Sequence, residues 1–140
     1  ASNLNMTVDY YDMNGNVADV ANLSQGSDLM SVVTVRNPGT MGILQNLALT
    51  HMVPSGWEIR NTRMEEFSAY NSSVVDYQDY RDDRVLTYFT LSPGESKRIV
   101  TLLHASYGGR FYLPAIRCEA MYNNQVAASV AGQWVSVGNE

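Results

Sequence analysis

Leu4-Asn5-Met6-Thr7-Val8-Asp9-Tyr10 alternates apolar and polar residues without a fault. Successive side chains of a strand point to opposite faces, so this period of two sets Leu4, Met6, Val8 and Tyr10 against a core and leaves the other face in water. The reading extends outward from there. Asp12-Met13-Asn14-Gly15-Asn16 follows, and Asn-Gly tolerates the positive φ of a tight turn, which predicts a hairpin or sharp bend. Leu29-Met30-Ser31-Val32-Val33-Thr34-Val35 is rich in β-branched residues and stops at Asn37-Pro38-Gly39, a turn signature in which Pro presets φ.

The same grammar continues down the chain. Ile43, Leu47, Leu49 and Val53 share one parity and predict a strand that ends at Pro54-Ser55-Gly56, before Trp57-Glu58-Ile59. Between Asn61 and Asp83 the pattern weakens, and Thr62 with Glu65 has the spacing of a capping box for one short helical turn. Arg84 to Leu91 and Lys97 to Ala105 read as two strands joined by the turn Ser92-Pro93-Gly94-Glu95. Arg110 to Ala120 reads as one strand, with Pro114 at an edge or bulge because it cannot donate to a ladder. A turn at Asn123-Asn124 leads into a last strand, where Val126, Ala128, Val130 and Trp134 share a parity. Seven or eight strands, with no helical pattern long enough for a crossover, predict an all-β antiparallel sandwich and exclude βαβ units.

The bulk properties agree with a folded β domain. A chain of 140 residues fits one domain and buries roughly 65–70% of its unfolded surface. Apolar residues make up 45% and charged residues 16%, a balance that supports a packed core and excludes disorder. Nine Lys and Arg against fourteen Asp and Glu give a net charge of −5, so the phosphate attraction that dominates nucleic-acid affinity is missing. Apolar stretches fall short of the roughly 20 residues that span a bilayer, so the domain itself is expected to make no membrane contact. The start, Ala1-Ser2-Asn3-Leu4, has no signal-peptide pattern and enters a strand almost at once, as a domain within a longer polypeptide does.

Chemistry-bearing residues are sparse. His51 and His104 have no nucleophile at a fixed spacing, and no Gly-x-Ser-x-Gly elbow occurs, so no catalytic residue is assigned. Asp76, Asp79, Asp82 and Asp83 lack the spacing of a calcium loop and read as a solvated strand entry balanced by Arg81 and Arg84. Glu65 and Glu66 are adjacent, which points them apart, so they are poorly placed to act as a carboxylate pair and are expected to keep the surface soluble. No metal site and no cofactor is expected. Cys118 is the sole cysteine, so no intrachain disulfide can form, and its apolar surroundings predict a buried, inert thiol. Trp57 and Trp134 read as core or core-edge residues, although exposed aromatics would suit an adhesion or glycan-binding module. Asn5, Asn22 and Asn71 stand in Asn-x-Ser/Thr triplets short enough to arise by chance.

Five stretches in one order carry a family resemblance: Ser24-Gln25-Gly26-Ser27-Asp28; Leu47-Ala48-Leu49 leading to Pro54-Ser55-Gly56-Trp57-Glu58-Ile59; Tyr80 to Val85; Gly109 to Ala115; and Glu119-Ala120-Met121-Tyr122-Asn123. Together they resemble the C-terminal macroglobulin-type domain, MG10, of bacterial alpha-2-macroglobulins, over nearly the whole chain. The resemblance implies a receptor-binding-domain-like β-sandwich at the end of a large periplasmic peptidase trap, anchored through a lipidated N-terminus. In such traps, cleavage of a bait region triggers collapse, and many members capture the attacker through a Cys–Gln thioester. Cys118 stands in Arg-Cys-Glu-Ala and not in Cys-x-Glu-Gln, so it is not a thioester cysteine. The resemblance further implies that the loop holding Met121 and Tyr122 packs on the thioester domain of the parent chain and keeps water from it. The expected partners are therefore other domains of the parent chain and, indirectly, target peptidases.

Overall fold

The computed structural model describes residues 3–60 and 75–138; the Thr62–Glu65 turn, Glu66 and Asn71 lie outside them. The described residues form twelve strands and no helix. They are β1 (Asn5–Asp12), β2 (Leu23–Ser24), β3 (Asp28–Arg36), β4 (Leu44–Met52), β5 (Trp57–Arg60) and β6 (Tyr77–Tyr80). Next come β7 (Arg84–Leu91), β8 (Ser96–Ala105), β9 (Gly109–Leu113), β10 (Ile116–Ala120), β11 (Asn123–Val130) and β12 (Gln133–Gly138). One sheet runs β1-β3-β8-β5, a second β11-β10-β4-β7-β6, and a third, smaller one β2-β12-β9.

The count of seven or eight strands is thereby corrected: two expected strands each divide, and β2 and β6 are short strands that the sequence pattern did not show. Arg110 to Ala120 divides at Pro114 into β9, which pairs with β12, and β10, which pairs with β4 and β11. A residue without an N–H ends one ladder and lets the chain change sheets. Val126 to Val137 divides likewise at Ala131-Gly132. Gly132 is required there, because a Cβ on it would lie 2.5 Å from the Leu113 carbonyl oxygen. Past that break the buried parity becomes Val135 and Val137, and Trp134 turns outward at 54% exposure instead of joining the core. One pairing also departs from the antiparallel expectation, since β12 and β2 run parallel.

Where alternation is uninterrupted, the strands stand as read. β1 pairs with β3, and β3 with β8, in unbroken antiparallel register. Inner-face residues of the first and second sheets meet in one cluster around Val33, Val35, Ile99, Leu47, Leu49 and Phe89. Each such fully buried side chain contributes roughly 1.5–3 kcal/mol. The third sheet closes the other end of the first over Leu29, Leu103, Trp57, Val135 and Val137. On the reverse face Met30, Val32, Val100 and Leu102 form a further cluster with Tyr11 and Met13, so β3 and β8 are buried on both sides.

A polar layer separates the two inner clusters. Ser31 lies between Leu29 and Val33 on β3, Thr101 between Ile99 and Leu103 on β8, and His51 between Leu49 of β4 and Val53 just past its end, while Thr87 lies next to Phe89 in the alternation of β7. All four are buried, and Ser31 and Thr101 pair directly across the ladder.

Two local devices hold the turns. Asp12 accepts the amides of Asn14 (2.9 Å) and Asn16 (3.0 Å) on Oδ1, with Gly15 at φ 88°, which makes the expected bend. Buried Asn37 donates from Nδ2 to the carbonyls of Gly42 (2.7 Å) and Leu91 (3.1 Å) and accepts the Gly39 amide on Oδ1 (2.8 Å). Ile43 is not the core residue its parity suggested. A bulge between Leu44 and Leu47, with Asn46 at φ 56°, reverses the alternation, leaving Ile43 exposed and Leu44 buried.

Candidate functional site

β10 alternates cleanly: Ile116, Cys118 and Ala120 face the core, and Arg117 and Glu119 face solvent. The two outward residues pair, the Arg117 guanidinium donating from Nε to the Glu119 carboxylate at 2.6 Å. Ala120 pairs with Asn123, so the turn is Met121-Tyr122 and not the Asn123-Asn124 that the sequence suggested. Asn123 already belongs to β11, and its Oδ1 accepts the Gln125 amide at 3.0 Å.

The chemistry of this turn runs against local propensity. Tight turns favour Gly, Asn and Asp, yet here a Met (53% exposed) and a Tyr (83% exposed) stand at the tip. Solvating two large, partly apolar side chains where a small polar pair would serve better is a conflict of the kind that marks binding surfaces.

Irregular backbone frames the tip on both sides. The β10–β11 register shifts between Glu119 and Ala120, and the facing β4 carries the bulge at Asn46. The Met121 amide donates to the Asn46 carbonyl at 3.0 Å, which fixes the first tip residue to β4. Bulges next to a ladder's end re-aim the side chains that follow. Beside the tip lies an open hollow of about 460 Å³, lined by Arg117, Glu119, Met121, Tyr122, Val126 and Ala127.

The other chemistry-bearing residues are dispersed. Cys118 is fully buried, and desolvation, with the Glu119 charge beside it, pushes its thiol up to about 12. It is therefore protonated and unreactive at neutral pH, as its sequence setting suggested. His51 is buried in the polar layer, where desolvation pulls its imidazole down to about 4. The His104 Nδ1 lies 2.7 Å from Asp28 Oδ1, across paired positions of β8 and β3. Arg81 pairs with Asp79 at 2.8 Å and Arg84 with Asp83 at 3.0 Å, which gives the acidic stretch the charge balance expected of it. Among the described residues, no three His, Cys, Asp or Glu side chains gather at one point. Trp57 is buried, its ring 6.1 Å from that of Tyr10, and cannot present a face to a glycan.

Comparison with known proteins gives this geometry a family context. Residues 4–125 match the family described as the bacterial alpha-2-macroglobulin MG10 domain. The chain is 29% identical over 122 residues to an alpha-2-macroglobulin homolog of Yersinia pestis, covering 81% of this chain and 6% of that protein. Its fold is similar to that in Salmonella alpha-2-macroglobulin reacted with methylamine, with TM-score 0.85 and 19% identity, over 97% of this chain and 9% of that one. It is also similar to native Escherichia coli alpha-2-macroglobulin spanning domain MG7 to the C-terminus, with TM-score 0.83 and 17% identity, over 97% of this chain and 23% of that one.

Proposed function

The chain belongs to the bacterial alpha-2-macroglobulin MG10 domain family, and from that membership we propose that it is a non-catalytic interaction domain of a peptidase trap. Its working surface is the Met121-Tyr122 tip, which packs on the thioester domain of the parent chain and shields the thioester until activation. The observation that carries this reading is the solvent exposure of a Met and a Tyr at a turn fixed by Asn46.

The chemistry suits the role. A thioester is lost to any nucleophile that reaches it, water included. A thioether and a phenol ring exclude water over a broad area, and a thioether forms no stable acyl product with a thioester. The deep, protonated Cys118 thiol also stays clear of exchange with such a group. The parent protein is proposed to be periplasmic and anchored by a lipidated N-terminus, with this domain at its C-terminal end.

The test uses the full parent protein, with methylamine as the small nucleophile. Met121→Ala with Tyr122→Ala is expected to speed thioester consumption by roughly tenfold or more, the equivalent of about 1.4 kcal/mol of lost shielding contact. Consumption at the wild-type rate, with the domain still folded, would remove the shielding role.

A further inference from the structure

We propose that the outer face of the third sheet is a second docking surface, built to receive an acidic segment from another domain of the same polypeptide. The register of β9 and β12 creates it. Tyr112 pairs with Trp134 and Arg110 with Ser136, so the four side chains share the face opposite Phe111, Leu113, Val135 and Val137. Tyr112 and Trp134 are both half exposed, their ring centroids 5.3 Å apart at 71°. The Arg110 guanidinium carbon lies 4.5 Å from the Trp134 ring centre.

The group is set in place before any partner arrives. The cation–π contact holds the guanidinium over the indole, which reduces the rotamer freedom an arginine would otherwise lose on binding. Gly132 lets the Tyr112 ring lie against the backbone, because a Cβ there would come within 2.6 Å of the Tyr112 hydroxyl. Arg, Trp and Tyr are the residue types that dominate binding energy at protein interfaces.

Charge specifies the partner. Arg81, Arg84, Lys97 and Arg117 each hold a carboxylate within the chain. Arg110, like Arg36 and Arg60, has no carboxylate partner among the described residues, and Arg110 lies over the half-exposed Trp134 ring, in a chain of fourteen acidic residues against nine basic ones. Its N–H groups stand ready for an acid from outside, with the Ser136 hydroxyl opposite.

The source follows from the family's proportions. This chain spans 6% of the Yersinia relative and 9% of the Salmonella chain, so in a protein of that plan most neighbouring surface belongs to other domains of the same polypeptide. The eight residues of β11 separate this face from the Met121-Tyr122 tip by about 26 Å at ~3.3 Å per residue. Both surfaces can therefore be occupied together. The inference shares with the proposed function only the premise of a longer chain, and it does not depend on thioester shielding.

Photo-crosslinking in the full parent protein tests it, with p-benzoylphenylalanine in place of Tyr112 or, should that variant misfold, of Ser136 on the same face. Mass spectrometry is expected to recover a cross-link to an Asp- or Glu-rich segment of the same polypeptide. Arg110→Glu should lower its yield by roughly tenfold or more, the loss expected when an anchoring charge pair is reversed, while Arg110→Lys retains part of it. Cross-links only to a separate protein, cross-links to a segment without acids, a glycan adduct, or none in a folded protein would each overturn the proposal. Methylamine consumption should stay at the wild-type rate in Arg110→Glu, which separates this surface from the tip.

Discussion

Met121 hangs from Asn46: its amide donates to the Asn46 carbonyl at 3.0 Å, and Asn46 directs that carbonyl from a left-handed backbone at φ 56°. Among non-glycine residues Asn tolerates this region best, and a β-branched side chain tolerates it least. Asn46→Val should therefore cost roughly 1–3 kcal/mol, and Asn46→Gly much less. Chemical denaturation measures both. A Val variant as stable as wild type would show that the bulge is not held by the conformational preference of Asn46.

The tip itself should be nearly free of stability cost. Met121 and Tyr122 are exposed, so Met121→Ala and Tyr122→Ala are each expected within about 0.5 kcal/mol of wild type. Thermal melting of the single variants checks this, and a large loss would mean that the two residues serve local packing.

His51 makes stability depend on pH. Its folded-state pKa, about 4, lies below the ordinary value of 6.5, because burial favours the neutral ring. The unfolded chain therefore takes up a proton near pH 6.5 that the folded chain refuses until about pH 4. The stabilisation is full above 6.5 and is lost as pH falls through that window, by about 3 kcal/mol in all. Urea unfolding at pH 7, 5.5 and 4 should show His51→Leu losing less than wild type. Parallel pH profiles would mean that the ring is protonated inside the fold.

Gly132→Ala should destabilise by roughly 1–3 kcal/mol, since the new Cβ would lie 2.5 Å from a backbone oxygen that cannot yield as a flexible side-chain end can. The change should also displace Tyr112 and so alter Trp134 fluorescence. A neutral melting temperature with an unchanged spectrum would contradict this packing.

Cys118 should resist a thiol reagent in the native protein at pH 8 and react fully once unfolded, because its thiol is buried and pushed up to about 12. Rapid native labelling would show that β10 opens readily.

Much of this molecule was legible in the order of its residues. Alternation in Leu4 to Tyr10 and the apolar run from Leu29 to Val35 identified β1 and β3, and Pro and Gly marked their turns. Met121 and Tyr122 are candidates that the family resemblance alone supplied. Their exposure became visible only with the fold, and the hydrogen bond to Asn46 joins residues 75 positions apart in the chain (121 − 46). The grouping of Arg110, Tyr112 and Trp134 was not legible, and Trp134 read as a core or core-edge residue, because it meets the other two only once β12 pairs with β9.

The long alternating strands and the turns at Asp12–Asn16 and Asn37–Gly39 were properties of the sequence by itself, since side-chain alternation and backbone φ preferences act over a few residues. Which sheet a strand joins, and which side chain faces the core after a bulge, were decided by the tertiary structure. Ile43 and Trp134 share the parity of buried neighbours and are exposed, because one extra residue at Asn46 and one sheet change at Gly132 reversed the faces. Those reversals depend on ladders between distant strands, and a period of two along a single segment carries no record of them.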